Sequence, residues 1–206
     1  MRYAYLAVED AVGEALGKRL LLEAGFEPLP TQGLKGDGWL KKNARKLNQA
    51  SKQLPVLMLT DLDRPDRCVV DLIDQWVPPD EREPTMLIRA AVLEGEAWIM
   101  ADLEAFAKLV GVTPGKLAVD PDSVLDPKEA LVRVARDGKD RAVRDDLVPA
   151  KNSTASVGPG YNLRLTGFVG KDWDPERAAA RSPSLARARR ALVKLRELVD
   201  ATQENE

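Results

Sequence analysis

Acidic residues stand in pairs where three apolar runs stop. Glu9 and Asp10 follow YAYLAV, Asp61 and Asp63 follow VLMLT, and Glu94 and Glu96 follow MLIRAAVL. Carboxylate oxygens are hard ligands that suit Mg²⁺, Mn²⁺ or Ca²⁺, and several of them in one place repel one another unless a cation neutralises them. Asp61 and Asp63 are two residues apart, so on extended backbone both can face one side and share an ion. Glu9 arrives from another segment. Mg²⁺ takes one or two carboxylates and keeps its other positions for water and phosphate oxygens, which leaves a third acid to act as general base or to hold a second ion. Such a set activates water against a phosphate ester. The competing reading of D-x-D after an apolar run is that its aspartates cap the next helix.

Two scarcities narrow the chemistry further. The chain has no histidine and one cysteine, Cys68, which excludes Ser-His-Asp and Cys-His catalysis, a His/Cys zinc site, a haem site and an intramolecular disulfide. Cys68 reads as a small buried apolar residue near a helix start. With 206 residues, 44% hydrophobic, 31% charged and a net charge of −2, the chain falls in the ordinary globular class, and its global charge announces no nucleic-acid partner. No apolar stretch approaches the ~18 residues of a membrane span. The start, MRYAYLAVEDAVGE, turns acidic before a signal-peptide apolar region forms, so the expected compartment is the cytoplasm.

The elements that must position these acids can be read from periodicity. Residues 3–8 suit a strand, followed by a helix over 10–24 with apolar Val12, Leu16 and Leu20 every four residues and Gly25 closing it. Residues 26–29 suit a second short strand, 31–38 a loop, 39–53 a basic helix, VLMLT a strand buried on both faces, and 68–76 a helix. MLIRAAVL is a further strand, and EGEAWIMADLEAFAKLVG reads as helix up to Gly111. Within it Trp98 reads as core and Asp102 as a surface or helix-terminal charge. This alternation predicts an α/β fold with a mostly parallel sheet flanked by helices over 1–111. The remainder, 112–206, reads as a helical and loop extension packed on that core, with one short helix over 127–136 and a last helix over 183–201, capped by Ser182 and opened by Pro183. In an open parallel sheet, ligands bind beyond the carboxyl ends of the strands, so all three acidic pairs should meet at one edge.

The strand ending in glutamate before a helix, YLAVEDAVGEALGKRLL, and the later strand ending in D-x-D, VLMLTDLDR, resemble the TOPRIM arrangement of topoisomerases, primases and OLD-family nucleases. In that arrangement a glycine-containing turn follows the glutamate, whereas here Asp10 and Ala11 do. The stretch LEGEAWIMAD, with WDPERAAARSPSL far downstream, is similar to a small family of bacterial TOPRIM-like proteins found beside ABC-type ATPases and linked to abortive infection against phage. The resemblance implies a TOPRIM-like sheet, Mg²⁺ or Mn²⁺ as cofactor, Glu9 as the acid-base residue, Asp61 and Asp63 as metal ligands, and Glu94 or Glu96 as a further site acid. It also implies a phage-defence setting and an OLD/ABC-type ATPase partner.

Basic residues supply candidate phosphate contacts. Lys35, Lys41, Lys42, Arg45, Lys46 and Lys52 make the second helical region strongly positive, either a phosphate track or a solvated face. Arg64 and Arg67 directly follow D-x-D, where a scissile phosphate would lie. Lys151 and Tyr161 fall in a late loop that either closes over the site or has no duty there. The last helix carries an apolar stripe of Leu185, Ala188, Leu192, Leu195 and Val199, with Arg187, Arg190 and Lys194 opposite it on a solvated face, or one turned to nucleic acid or an acidic partner. The leading function is a Mg²⁺-dependent nuclease acting on DNA or RNA. The alternatives are a phosphate-ester enzyme with a small substrate, and a non-enzymatic docking or sensor subunit of an ATPase complex. A homo-oligomer is left open, and no membrane partner is expected.

Overall fold

The computed structural model describes residues 2–62, 68–117 and 120–203. Its centre is a parallel sheet in the order β2-β1-β4-β5, where β1 is Tyr3–Val8, β2 Glu27–Pro28, β4 Val56–Asp61 and β5 Met86–Ala91. A two-residue strand β3, Gln32–Gly33, also pairs with β1. It lies in the segment expected to be loop. β1 and β4 run side by side with Val8 opposite Leu59, and β4 and β5 with Asp61 opposite Ala91. The expected α/β fold, with a parallel sheet between helices and a helix at the C-terminal end, is therefore observed.

Alternation along the strands divides the core into two layers. Ala4, Leu6, Val8, Leu57 and Leu59 face one layer, while Ala7, Val56, Met58 and Ile88 face the other. The second layer is covered by α2 (Asp37–Ala50) and α3 (Val69–Trp76), through Leu40, Leu47, Leu72 and Trp76. The first layer is covered by α1 (Ala11–Glu23) and by the helices of the second half. Asp10 caps α1, its carboxylate accepting the Gly13 N–H at 2.8 Å. Gly17 lets α1 lie close on β1, since a Cβ there would stand 2.5 Å from Leu6 Cδ1.

The stretch expected as one helix is two, α4 (Gly95–Ala101) and α5 (Leu103–Val110). They meet at Asp102, which stands at the helix termini, one of the two places expected for it, and is 1% exposed rather than on the surface. Its carboxylate accepts the Asp174 N–H at 2.8 Å and the Arg177 guanidinium at 3.0 and 2.8 Å. A buried acid so fully occupied fixes the backbone break between the helices.

Beyond residue 112 the structure is more helical than the proline-rich sequence suggests. The elements are α6 (Pro127–Arg136), α7 (Arg141–Leu147), α8 (Tyr161–Lys171), α9 (Pro175–Ala179) and α10 (Pro183–Gln203). Asp126, Asp140 and Asp174 each cap the helix that follows, so the aspartates that break the periodicity begin elements rather than end them. Ser182 Oγ accepts the Leu185 N–H at 3.2 Å and so caps α10 as expected. Two tryptophans join this half to the sheet layer. Trp98 Nε1 donates to Ser184 Oγ at 2.7 Å, and Trp173 Nε1 donates to the Trp98 carbonyl at 3.0 Å. Cys68, expected to be buried, is exposed; it stands before α3, outside the stripe formed by Leu72, Ile73 and Trp76. No helix among the described residues is long and apolar enough to cross a membrane.

Because both halves feed one core, Trp173→Ala should cost about 3–5 kcal/mol and unfold the chain in a single urea transition. Fluorescence and far-UV circular dichroism should report the same midpoint. Separate transitions would mean that the second half is only loosely attached.

Candidate active site

Glu9 directly follows β1, opposite Thr60 near the end of the neighbouring β4. The register brings the Glu9 carboxylate against β4. Its Oε1 accepts the Asp61 N–H at 2.9 Å and also the Thr60 hydroxyl. The Asp61 Oδ1 in turn accepts the Gly95 N–H at 3.0 Å, at the first residue of α4. Three elements are thus joined at the carboxyl edge of the sheet by carboxylates bound to backbone N–H groups. The turn before α2 belongs to the same edge, because the Gly36 N–H donates to the Glu9 carbonyl at 3.0 Å. Glu9, Asp10, Gly13, Thr60, Asp61 and Gly95 line a cavity of roughly 10 Å³, room for about one water or a small ion.

Glu94 and Glu96 reach the same edge but meet a cation that the sequence reading did not single out. Glu94 accepts the Lys128 N–H at 2.8 Å and the Lys128 ammonium at 3.2 Å. Glu96 lies 3.8 Å from that ammonium and accepts the Tyr161 hydroxyl at 2.9 Å. Burial opposes the charge on Lys128, but Glu96, Glu94 and Asp61 outweigh it and push its pKa up. Lys128 therefore stays charged beside three acids. Burial pushes the Glu96 carboxyl above its ordinary value, with Lys128 opposing. Burial, together with the charges of Glu96, Glu94 and Asp10, pushes the Tyr161 phenol up, so it remains a donor.

Tyr161 begins α8 and is buried, so it belongs to the site and not to a loop without duty. Lys151 lines a cleft of roughly 750 Å³ that opens beside Glu94 and Lys128. Nothing in the spacing of DPKEA signals that Lys128 reaches back to Glu94. The sign available was physical: clustered acids need a counter-charge.

Of the expected site residues, Glu9, Asp61, Glu94 and Glu96 gather at one edge. Asp63, Arg64 and Arg67 lie outside the described residues. Lys35, Lys41, Lys42, Arg45 and Lys46 are exposed. Lys35 adjoins Gly36 and so stands at the edge, whereas Arg45 pairs with Glu81 at 3.1 Å, which uses part of the positive face internally. Two carboxylates on adjacent strands, Glu9 and Asp61, match the one or two that Mg²⁺ takes from a protein. Among the described residues, no group of three acids or cysteines is arranged to hold an ion.

No family model matches this chain, and neither a curated protein nor a solved structure is significantly similar to it.

Unfolded, the Glu96 carboxyl titrates near 4.5, and folded it keeps its proton to higher pH. Its contribution to stability is complete below the unfolded value and is lost as pH rises through the folded one. Glu96→Gln should therefore gain on the wild type in urea midpoint as pH rises above about 4.5. A difference that does not change with pH contradicts the raised carboxyl. Tyr161→Phe removes a donor to a buried acid and should cost about 1–3 kcal/mol by the same assay.

Proposed function

We propose that the chain is a Mg²⁺- or Mn²⁺-dependent phosphodiesterase of TOPRIM-like type, cleaving DNA or RNA, with Glu9 and Asp61 at its centre. The observation that carries this reading is the Glu9–Asp61 clasp, which holds two carboxylates from adjacent parallel strands at the edge where such sheets bind ligands. The donor set is all oxygen, which suits a hard cation. Asp61, with Asp63, would hold the metal, whose chemistry when bound is to polarise the phosphate and lower the pKa of water.

The chain's own groups take the remaining roles. Glu9 removes the proton from the attacking water as the new P–O bond forms, and the departing oxygen takes a proton from solvent water as its P–O bond breaks. Thr60 and the Asp61 N–H hold the Glu9 carboxylate in place. Lys128, kept charged by Glu94 and Glu96, offsets the negative charge that a phosphate brings. On this reading Glu94 and Glu96 position Lys128 and do not ligate metal. Arg64 and Arg67, which directly follow D-x-D in the sequence, would contact the phosphate. The setting we propose is cytoplasmic phage defence beside an OLD/ABC-type ATPase.

The internal cation also favours a second reading. Lys128 already neutralises part of the acidic cluster, as it would in a docking subunit that performs no chemistry.

Cleavage of labelled single- and double-stranded DNA and RNA separates the two readings. The amides in Glu9→Gln and Asp61→Asn keep an acceptor for the backbone N–H groups, so the fold should hold while the Mg²⁺-dependent rate falls by roughly 10²–10⁴-fold. A wild type that cleaves none of these substrates, alone or with the ATPase added, or variants as active as the wild type, would overturn the nuclease reading.

A further inference from the structure

A groove of roughly 550 Å³ runs beside β5, the strand at the end of the sheet order, between α3 and α10. Four cations line it: Arg89 from β5, and Arg187, Arg190 and Lys194 from α10. Some other arginines of this half are paired with acids, Arg177 with Asp102 at 2.8 Å and Arg189 with Glu23 at 2.6 Å. Among the described residues the four in the groove have no acidic partner. Arg89 is the most exacting of them. One of its N–H groups donates to the Ile88 carbonyl at 2.9 Å, while its Nε is buried with no hydrogen-bond partner. Burial, and the like charges of Arg82 and Arg187, lower its pKa. A guanidinium pressed by another arginine is costly, and an oxyanion in the groove offsets that repulsion.

Two further features select the anion. Residues 187, 190 and 194 share one face of α10 over about 10 Å of helix, longer than a single phosphate and suited to a row of them. Between the cations the wall is apolar, formed by Val69, Val70, Ile73, Ala90, Val92 and Ala191, and Val70 is 61% exposed. Alternating charge and apolar surface fits a sugar-phosphate chain carrying base faces. The groove also adjoins the candidate active site. Ala91 pairs with Asp61 and lines the small cavity at Glu9, while its neighbours Ala90 and Val92 line the groove.

We infer that this groove binds the phosphodiester backbone of a single polynucleotide strand and leads it across the end of β5 to the carboxylates. The destination rests on the nuclease reading, whereas the binding stands on the groove's own cations.

Binding is measured by the anisotropy of a fluorescent single-stranded oligonucleotide with EDTA present, across a salt series. Arg187, Arg190 and Lys194 are exposed, so the triple variant Arg187→Gln, Arg190→Gln, Lys194→Gln should fold. It should flatten the log-log salt slope by about 2, close to 0.7 for each lost contact. Cys68, the one cysteine, stands exposed on the groove wall, and bound oligonucleotide should slow its alkylation by iodoacetamide in the wild type but not in the triple variant. An unchanged slope in the triple variant overturns the inference. So does inorganic phosphate competing as well as the oligonucleotide does, which would mark a small-anion site, or polyglutamate binding in its place, which would mark an acidic protein partner. Mg²⁺-dependent hydrolysis of bis(p-nitrophenyl) phosphate tests the carboxylates separately: its survival alongside failed oligonucleotide binding would sink the groove alone.

Discussion

The carboxyl edge of this protein depends on one arrangement: the Glu9 carboxylate bound to the Asp61 backbone N–H across two parallel strands. A parallel ladder leaves N–H groups without partners where its strands end, and here an acid from the neighbouring strand takes one of them. The bond fixes the register-determined distance between two acids and costs little repulsion, because Glu9 meets a dipole before it meets another charge. Asp61 repeats the device by accepting the N–H of Gly95. A Cβ at Gly95 would stand 3.0 Å from Leu16 Cδ1, so that side chain would have to shift to admit one.

Charge balance then organises the next layer. Four acids at one edge would raise one another's pKa without compensation. Lys128 supplies part of it, arriving from α6 and contacting both Glu94 and Glu96. The arrival requires the second half of the chain to pack on the first, which Trp98 and Trp173 secure through a serine hydroxyl and a carbonyl. Asp102 serves the same end, with its buried carboxylate gripping Arg177 and the start of α9. The helical half is in this sense what completes the site at the sheet edge.

Much of this was readable in advance because it follows from local pattern. The apolar runs of β1, β4 and β5, the glycine that closes α1, and the Ser182-Pro183 start of α10 all depend on neighbours in sequence. The convergence of Glu9, Asp61, Glu94 and Glu96 followed from the rule for strand ends. What escaped were features set by distant partners. Asp102 was legible as a helix-terminal charge but not as a buried one, because its partner Arg177 lies 75 residues away. Tyr161 looked like loop because its partner Glu96 is 65 residues away. The break between α4 and α5 is invisible in a continuous helical pattern, and the helices after residue 112 were obscured by prolines and aspartates that cap rather than interrupt.

We propose that Glu9 and Asp61 form an oxygen site for a divalent cation. Crystals soaked in Mn²⁺ and measured near the manganese absorption edge test it most directly, since anomalous scattering locates the ion without reference to activity. The account predicts a peak within about 2.5 Å of a carboxylate oxygen of Asp61, with Glu9 bound directly or through one water, and loss of that peak in Asp61→Asn. A peak seated instead on Glu94 and Glu96 with Lys128 displaced, or no peak at the Glu9–Asp61 edge at saturating Mn²⁺, would contradict it.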